Sequence, residues 1–119
     1  MDKKLDFEQL YKLLAGAFYK MDVTGVTNKM AFEFHIKDME NAIFYVEVNG
    51  GQVSVAPYNY YDRNALVVAG SETFSDIVSG KMNPKLAYAV GLITVEGDKD
   101  AILRLLDLWG ALNYVPKDV

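Results

Sequence analysis

The sequence predicts an α+β domain, with a five-stranded, mainly antiparallel sheet covered on one face by helices. Three observations predict it. From Lys29 to Pro57 apolar and polar residues alternate, which is the period of half-buried strands. Residues 6–21 and 99–113 carry apolar residues at helical spacing and bracket the strands. Between them, Phe74 to Asp98 reads as two short helices followed by a strand. Two short helices are a costly way merely to connect strands, and they make better sense as a movable apolar cover over a sheet.

The first helix, residues 6–21, is capped by Asp6, and Gln9 completes a capping-box pair. Phe7, Leu10, Leu14, Ala17, Phe18 and Met21 form its inward stripe, and Lys12 and Lys20 lie off it. Gly25 and the flanking threonines break the pattern. In residues 29–37, Met30, Phe32, Phe34 and Ile36 point inward, while Ala31, Glu33 and His35 point outward. Asp38 to Asn41 make a polar turn. Residues 42–48 form a second strand with Phe44, Val46 and Val48 inward. Asn49-Gly50-Gly51 is a hairpin turn, because Asn and Gly tolerate positive φ. Residues 52–57 pair back with Val53 and Val55 inward, and Pro57 ends the strand.

Tyr58 to Asn64 is a polar, aromatic connection, and residues 65–69 form a short apolar strand closed by Gly70. Ser71 is the expected cap of the next helix, with Phe74, Ile77 and Val78 inward. Asn83-Pro84 opens a helical turn over 85–90, and residues 91–96 form the fifth strand with Ile93 and Val95 inward. Asp98 caps the last helix, whose stripe is Ala101, Ile102, Leu105, Leu106, Trp109 and Leu112.

The 119 residues form one domain, 1–119, with no internal repeat or linker. A chain of this length buries about two thirds of its unfolded surface and folds without staples. No cysteine is present, which excludes disulfides, thiol catalysis and thiolate metal sites and suits a reducing compartment. The net charge of −4 argues against nucleic acid as a partner and against stable attachment to anionic membrane. No stretch reaches the roughly 20 apolar residues of a membrane span. Lys3 and Lys4 lack the apolar run of a signal peptide, so a cytoplasmic location is expected.

Catalytic candidates are few. His35 is the sole histidine and lies on a polar strand face between Glu33 and Lys37. Glu33 and His35 share that face, but two ligands without a third do not make a metal site. Ser71, Ser75 and Ser79 have no histidine predicted nearby. Tyr58, Tyr60 and Tyr61 read as a packed loop, or alternatively as a rim or homodimer contact. No cofactor motif is present.

The pattern Gly80-Lys81, Asn83-Pro84, Ala87, Gly91, Ile93-x-Val95 and Gly97-Asp98 resembles the sterol carrier protein type-two family of lipid-binding domains. Phe74 upstream, the Ala101 to Trp109 helix, and the strands from Met30 through the Asn49-Gly50 turn extend the resemblance over residues 28–112. It implies an apolar tunnel between sheet and helices that takes a fatty acid, fatty acyl-CoA, phospholipid or sterol-like lipid. Phe32, Phe34, Ile36, Phe44, Val46, Phe74, Ile77, Met82, Ile93, Leu105 and Trp109 are the expected lining. The competing reading for each is ordinary core. Lys81 reads by default as a solvated surface lysine; the functional alternative is a head-group cation at the mouth of the tunnel, a role open to Lys85 and Arg104 as well. Eukaryotic carriers end in a peroxisomal tripeptide, whereas this chain ends Lys117-Asp118-Val119, which again favours the cytoplasm.

The expected function is therefore non-enzymatic lipid binding or transport. Two alternatives stand beside it. One is a small enzyme with an apolar conical pocket, in the manner of ketosteroid isomerase, which needs a tyrosine and a carboxylate inside. The other is an interaction or dimerisation module with a filled core.

Overall fold

A computed structural model describes residues 5–112. In chain order the elements are α1 (Phe7–Tyr19), β1 (Met30–Ile36), β2 (Ile43–Asn49), β3 (Gln52–Ala56), β4 (Ala65–Ala69), α2 (Ser71–Val78), α3 (Pro84–Ala89), β5 (Ile93–Gly97) and α4 (Lys99–Leu112). The predicted helix end at residue 113, the Lys117-Asp118-Val119 end, and Lys3 and Lys4 lie outside the described residues.

The strands form one five-stranded sheet in the order β3-β2-β1-β4-β5. β1–β2, β2–β3 and β4–β5 pair antiparallel, whereas β1 and β4 run parallel. The sheet is therefore mixed, and the reason is the route of the chain. After the β1–β2–β3 meander the chain must return past two strands to reach the free edge of β1. The segment 57–64 makes that return, and it crosses the outer face of the sheet. The α2–α3 pair then carries the chain over the inner face before β5 adds to the edge of β4.

Register sets the inner face. Phe34 lies opposite Phe44 on one side and Val67 on the other, and Val46 lies opposite Val55. Phe18 of α1, Phe74 of α2 and Trp109 of α4 cover these residues and are fully buried with them. Burying this apolar layer is the main force holding helices to sheet, at about 25 cal/mol per Å² removed from water.

The local signals act largely as the sequence implies. Asp6 and Gln9 form the reciprocal capping box at α1. The Asn83 side chain accepts from the Lys85 N–H, with Pro84 in the first turn. Asp98 Oδ1 accepts from the Ala101 N–H at 3.1 Å. The start of α2 differs. Ser71 is the first residue inside that helix, and Gly70 occupies the cap without a side chain to offer. The anion comes from the β1–β2 turn instead. Asp38 accepts from the Ser71 N–H at 2.7 Å and from its hydroxyl at 2.6 Å.

At the sheet edge, the Tyr19 hydroxyl accepts from the Val55 N–H at 3.0 Å and donates to the Val55 carbonyl at 3.2 Å. That pair occupies backbone groups of edge strand β3 that would otherwise be open to another strand. Among the described residues no helix is long and apolar enough to cross a membrane.

Candidate functional site

The sequence-predicted lining residues converge on one layer. Phe32, Phe34, Phe44, Val46, Phe74, Ile77, Leu105 and Trp109 are fully buried, and Ile36 and Ile93 almost so. Met82 is half-buried against the same cluster, just after α2. Phe34 is the hub. It stacks on Phe44 at 4.9 Å between centroids and meets the edge of Trp109 at 6.0 Å. Phe18 lies 5.3 Å from Phe34 and 4.9 Å from Trp109. The rings fill the middle of the layer against one another, so a ligand placed there must part ring from ring.

Trp109 breaks the apolar uniformity of this layer. Its ring is fully buried, and among the described residues its Nε1–H has no acceptor. A buried N–H without a partner loses its water and gains nothing in return, which costs about 1–3 kcal/mol.

The predicted cations separate. Lys81 is exposed at the end of α2, and its backbone N–H bonds to the Asp76 carbonyl at 2.8 Å. Lys85 pairs with Asp107 at 2.8 Å, and Arg104 donates to the Gly25 carbonyl at 2.7 Å. Both of these are thereby engaged in holding α4 to its neighbours.

A groove that sequence reasoning missed opens on the outer side of the helices. It measures about 350 Å³ and is lined by Lys12, Leu13, Gly16, Ala17 and Lys20 of the first helical segment, with Val78 and Leu112 opposite. A signal for it was present in the sequence. Lys12, Gly16 and Lys20 recur every four residues, so they form one row along the helix, and a glycine inside a helix asks for a reason.

The other face of the sheet carries a polar cluster. Glu33 is only 6% exposed, because the returning segment 57–64 covers it. Its carboxylate meets His35 Nε2 at 2.5 Å, accepts the Tyr60 N–H at 2.9 Å and lies 3.5 Å from Arg63. Burial alone would raise the Glu33 carboxyl. The His35 hydrogen bond, the Tyr60 N–H and the Arg63 charge outweigh it and hold the group below the usual carboxylate range. Tyr60 also donates to Glu47 at 3.1 Å and packs edge-on against Tyr45 at 5.0 Å. Tyr58 and Tyr61 remain exposed. Among the described residues no group of three or more acidic, histidine or cysteine side chains is placed to hold a metal.

Comparison with solved structures places this arrangement among known folds. The palmitated SCP2L2 of Aedes aegypti matches with a TM-score of 0.68 at 17% identity, covering 88% of this chain and 95% of that one. The sterol carrier protein domain 2 of Helicoverpa armigera matches with a TM-score of 0.53 at 22% identity, covering 94% and 80%. A double mutant of the sec-alkyl sulfatase PisA1 matches with a TM-score of 0.64 at 16% identity over 87% of this chain. The chain spans only 16% of the length of that sulfatase. These likenesses are of fold. A sequence comparison with curated proteins finds no match. The profile of the SCP-2 sterol transfer family, however, matches residues 7–108, from the first residue of α1 well into α4. With the mixed sheet, the paired short helices and the buried apolar layer in place, the chain belongs to the SCP-2 sterol transfer family.

Proposed function

We propose that this protein is a non-enzymatic carrier of a hydrophobic lipid ligand, held between the sheet and the helices. The observation that carries the reading is the family match over residues 7–108 together with the convergence of the predicted lining on one apolar layer. The ligand is a fatty acid, a fatty acyl-CoA, a phospholipid or a sterol-like lipid. The palmitated state of the Aedes aegypti relative supports the acyl members of that set.

In this mechanism Phe32, Phe34, Ile36, Phe44, Val46, Phe74, Ile77, Met82, Ile93, Leu105 and Trp109 line the ligand. Each methylene drawn from water contributes about 0.8 kcal/mol. A chain of palmitate length thus gains enough to offset the separation of a few ring contacts, each worth about 0.5–1.5 kcal/mol. Gly80, at φ +84°, and the Asn83-Pro84 start of α3 are the joints at which the α2–α3 cover swings. Lys81 lies between those joints and meets the anionic head. The absence of cysteine supports a cytoplasmic setting for this work.

A carrier is favoured over an enzyme by where the polar groups lie. The buried polar side chains among the described residues are Glu33, Ser71 and Thr73. Glu33 is on the outer face of the sheet and already bonded to His35, so it does not supply a carboxylate to the apolar layer. The test is Leu105→Trp, read by titration with a fluorescent fatty acid. Filling the ligand space is expected to weaken binding at least tenfold while the circular dichroism spectrum is kept. A folded variant that binds as well as the wild type would overturn the reading.

A further inference from the structure

The two edges of the sheet are finished differently. On β3 the Tyr19 hydroxyl occupies the Val55 N–H and carbonyl. The other edge is β5. Which of its backbone groups face outward follows from the ladder. The Asp98 N–H bonds to the Asn64 carbonyl, while the Ala69 carbonyl turns the other way, to the Lys37 N–H on the β1 side. Backbone direction alternates along a strand. Leu66 and Val68 therefore bond their register partners Glu96 and Thr94, and Ile93, Val95 and Gly97 turn their groups to the open edge. Among the described residues nothing bonds to the Val95 N–H or carbonyl. The strand contains no proline or lysine, and no described side chain bonds to this edge as Tyr19 does on β3.

Apolar surface gathers at one end of the edge. Leu86 of α3 and Val90 at its cap, one turn apart, are 54% and 61% exposed, and Leu92, which leads into β5, is 42% exposed. α3 packs on β5 and α4, and the Lys85–Asp107 pair holds it to α4, so this surface flanks the edge. The other end is acidic. Glu96 is exposed on the outer face of the sheet and has no ion pair among the described residues.

We propose that the open edge of β5 is a docking site for an extended segment of another protein, which joins the sheet antiparallel to β5. That segment carries a lysine or arginine opposite Glu96, at its N-terminal end, and apolar residues where it reaches Val90 and Leu92. Backbone hydrogen bonds hold it, and the side chains at its two ends select it. A second copy of this chain fits less well. Pairing β5 with itself about Val95 sets each Glu96 against a threonine and each Asp98 against a leucine, so no cation meets an acid. The edge lies outside the apolar layer, and its docking role stands whether or not a lipid is carried.

The probes are a pair of capped peptides of about seven residues, the length of a short strand. Both alternate valine and threonine and end in leucine; one begins with lysines and the other with glutamates. The lysine peptide is expected to protect the Val95 amide of the wild type from hydrogen exchange and to bind about tenfold more tightly than the glutamate peptide. Glu96→Lys is expected to invert that preference. Val95→Pro removes a donor that the β4 ladder does not use, and is expected to abolish binding. Val95→Ala loses similar packing but keeps the N–H, and is expected to bind. If neither peptide binds at about 1 mM, or Val95→Pro binds as well as Val95→Ala, the docking edge is overturned. An unprotected Val95 amide in wild type saturated with peptide overturns it too, even where the proline variant does not fold. If the protein alone sediments as a dimer that Val95→Pro dissociates, the edge belongs to a second copy and the partner segment is overturned.

Discussion

Glu33 alternates with Phe32 and Phe34 along β1, and alternation alone puts its carboxylate outward, in water. It does point outward, yet it is buried, because the chain returning from β3 to β4 lays Tyr60 and Arg63 over it. That contact spans 27 residues of sequence, and no local pattern announces it. The consequence is a pH dependence whose sign follows from the shift. A carboxyl held low in the folded state stabilises above the ordinary glutamate range, and the contribution is lost as pH falls through the folded value. Glu33→Gln is therefore expected to destabilise the protein by about 1–3 kcal/mol at neutral pH. Urea denaturation should show the gap closing in acid. A gap that stays constant across that range would mean shape, and not charge, is what Glu33 contributes.

Two glycines are expected to respond in opposite directions. A Cβ at Gly97, where φ is +117°, would fall 2.4 Å from the Asn64 carbonyl oxygen. Gly97→Ala should cost about 2 kcal/mol or more, since backbone must move. Gly16→Ala should instead stabilise by about 0.5–1 kcal/mol. Thermal melts of the two variants check both signs, and a destabilising Gly16→Ala would show that α1 packs more closely there than the structure has it. The Gly97-Asp98 pair was visible in the sequence as a strand end, but its close approach to Asn64 belongs to tertiary structure.

At the scale of elements, the periodic segments were legible because one physical cause sets both pattern and structure. The capping box of α1, the alternation of β1 to β3, the Asn83-Pro84 start of α3 and the Asp98 cap of α4 are each local. The start of α2 was not legible, since its cap is borrowed from Asp38, 33 residues away. Asp38→Ala is expected to cost about 1–2 kcal/mol, the range of a lost helix cap. Glu40→Ala, at an exposed position in the same turn, should change little. Equal effects in chemical denaturation would refute the capping role. The parallel β1–β4 pairing was likewise hidden, because it depends on the path of segment 57–64 and not on the composition of either strand.

For the whole molecule, the apolar stripes of helices and strands specified which residues meet but not how tightly. The same list serves a filled core and a lipid-lined layer. Sequence placed Phe34, Phe74 and Trp109 together; the ring distances and the unsatisfied indole needed coordinates. A carrier that parts its own core to bind should be stabilised by its cargo. Free ligand at about 100 times its dissociation constant raises unfolding stability by about 2.7 kcal/mol. Palmitate at such a concentration should therefore raise the melting temperature of the wild type, and hexadecane should do so less.

The central claim, that the helices and sheet enclose a lipid, is tested most directly by native mass spectrometry of freshly purified protein followed by organic extraction. The account predicts a stoichiometric acyl lipid on the native protein, released by extraction, or taken up when the apo protein is incubated with fatty acid or acyl-CoA. A bare mass that remains bare after both incubations would contradict it and leave a folded module whose core is simply full.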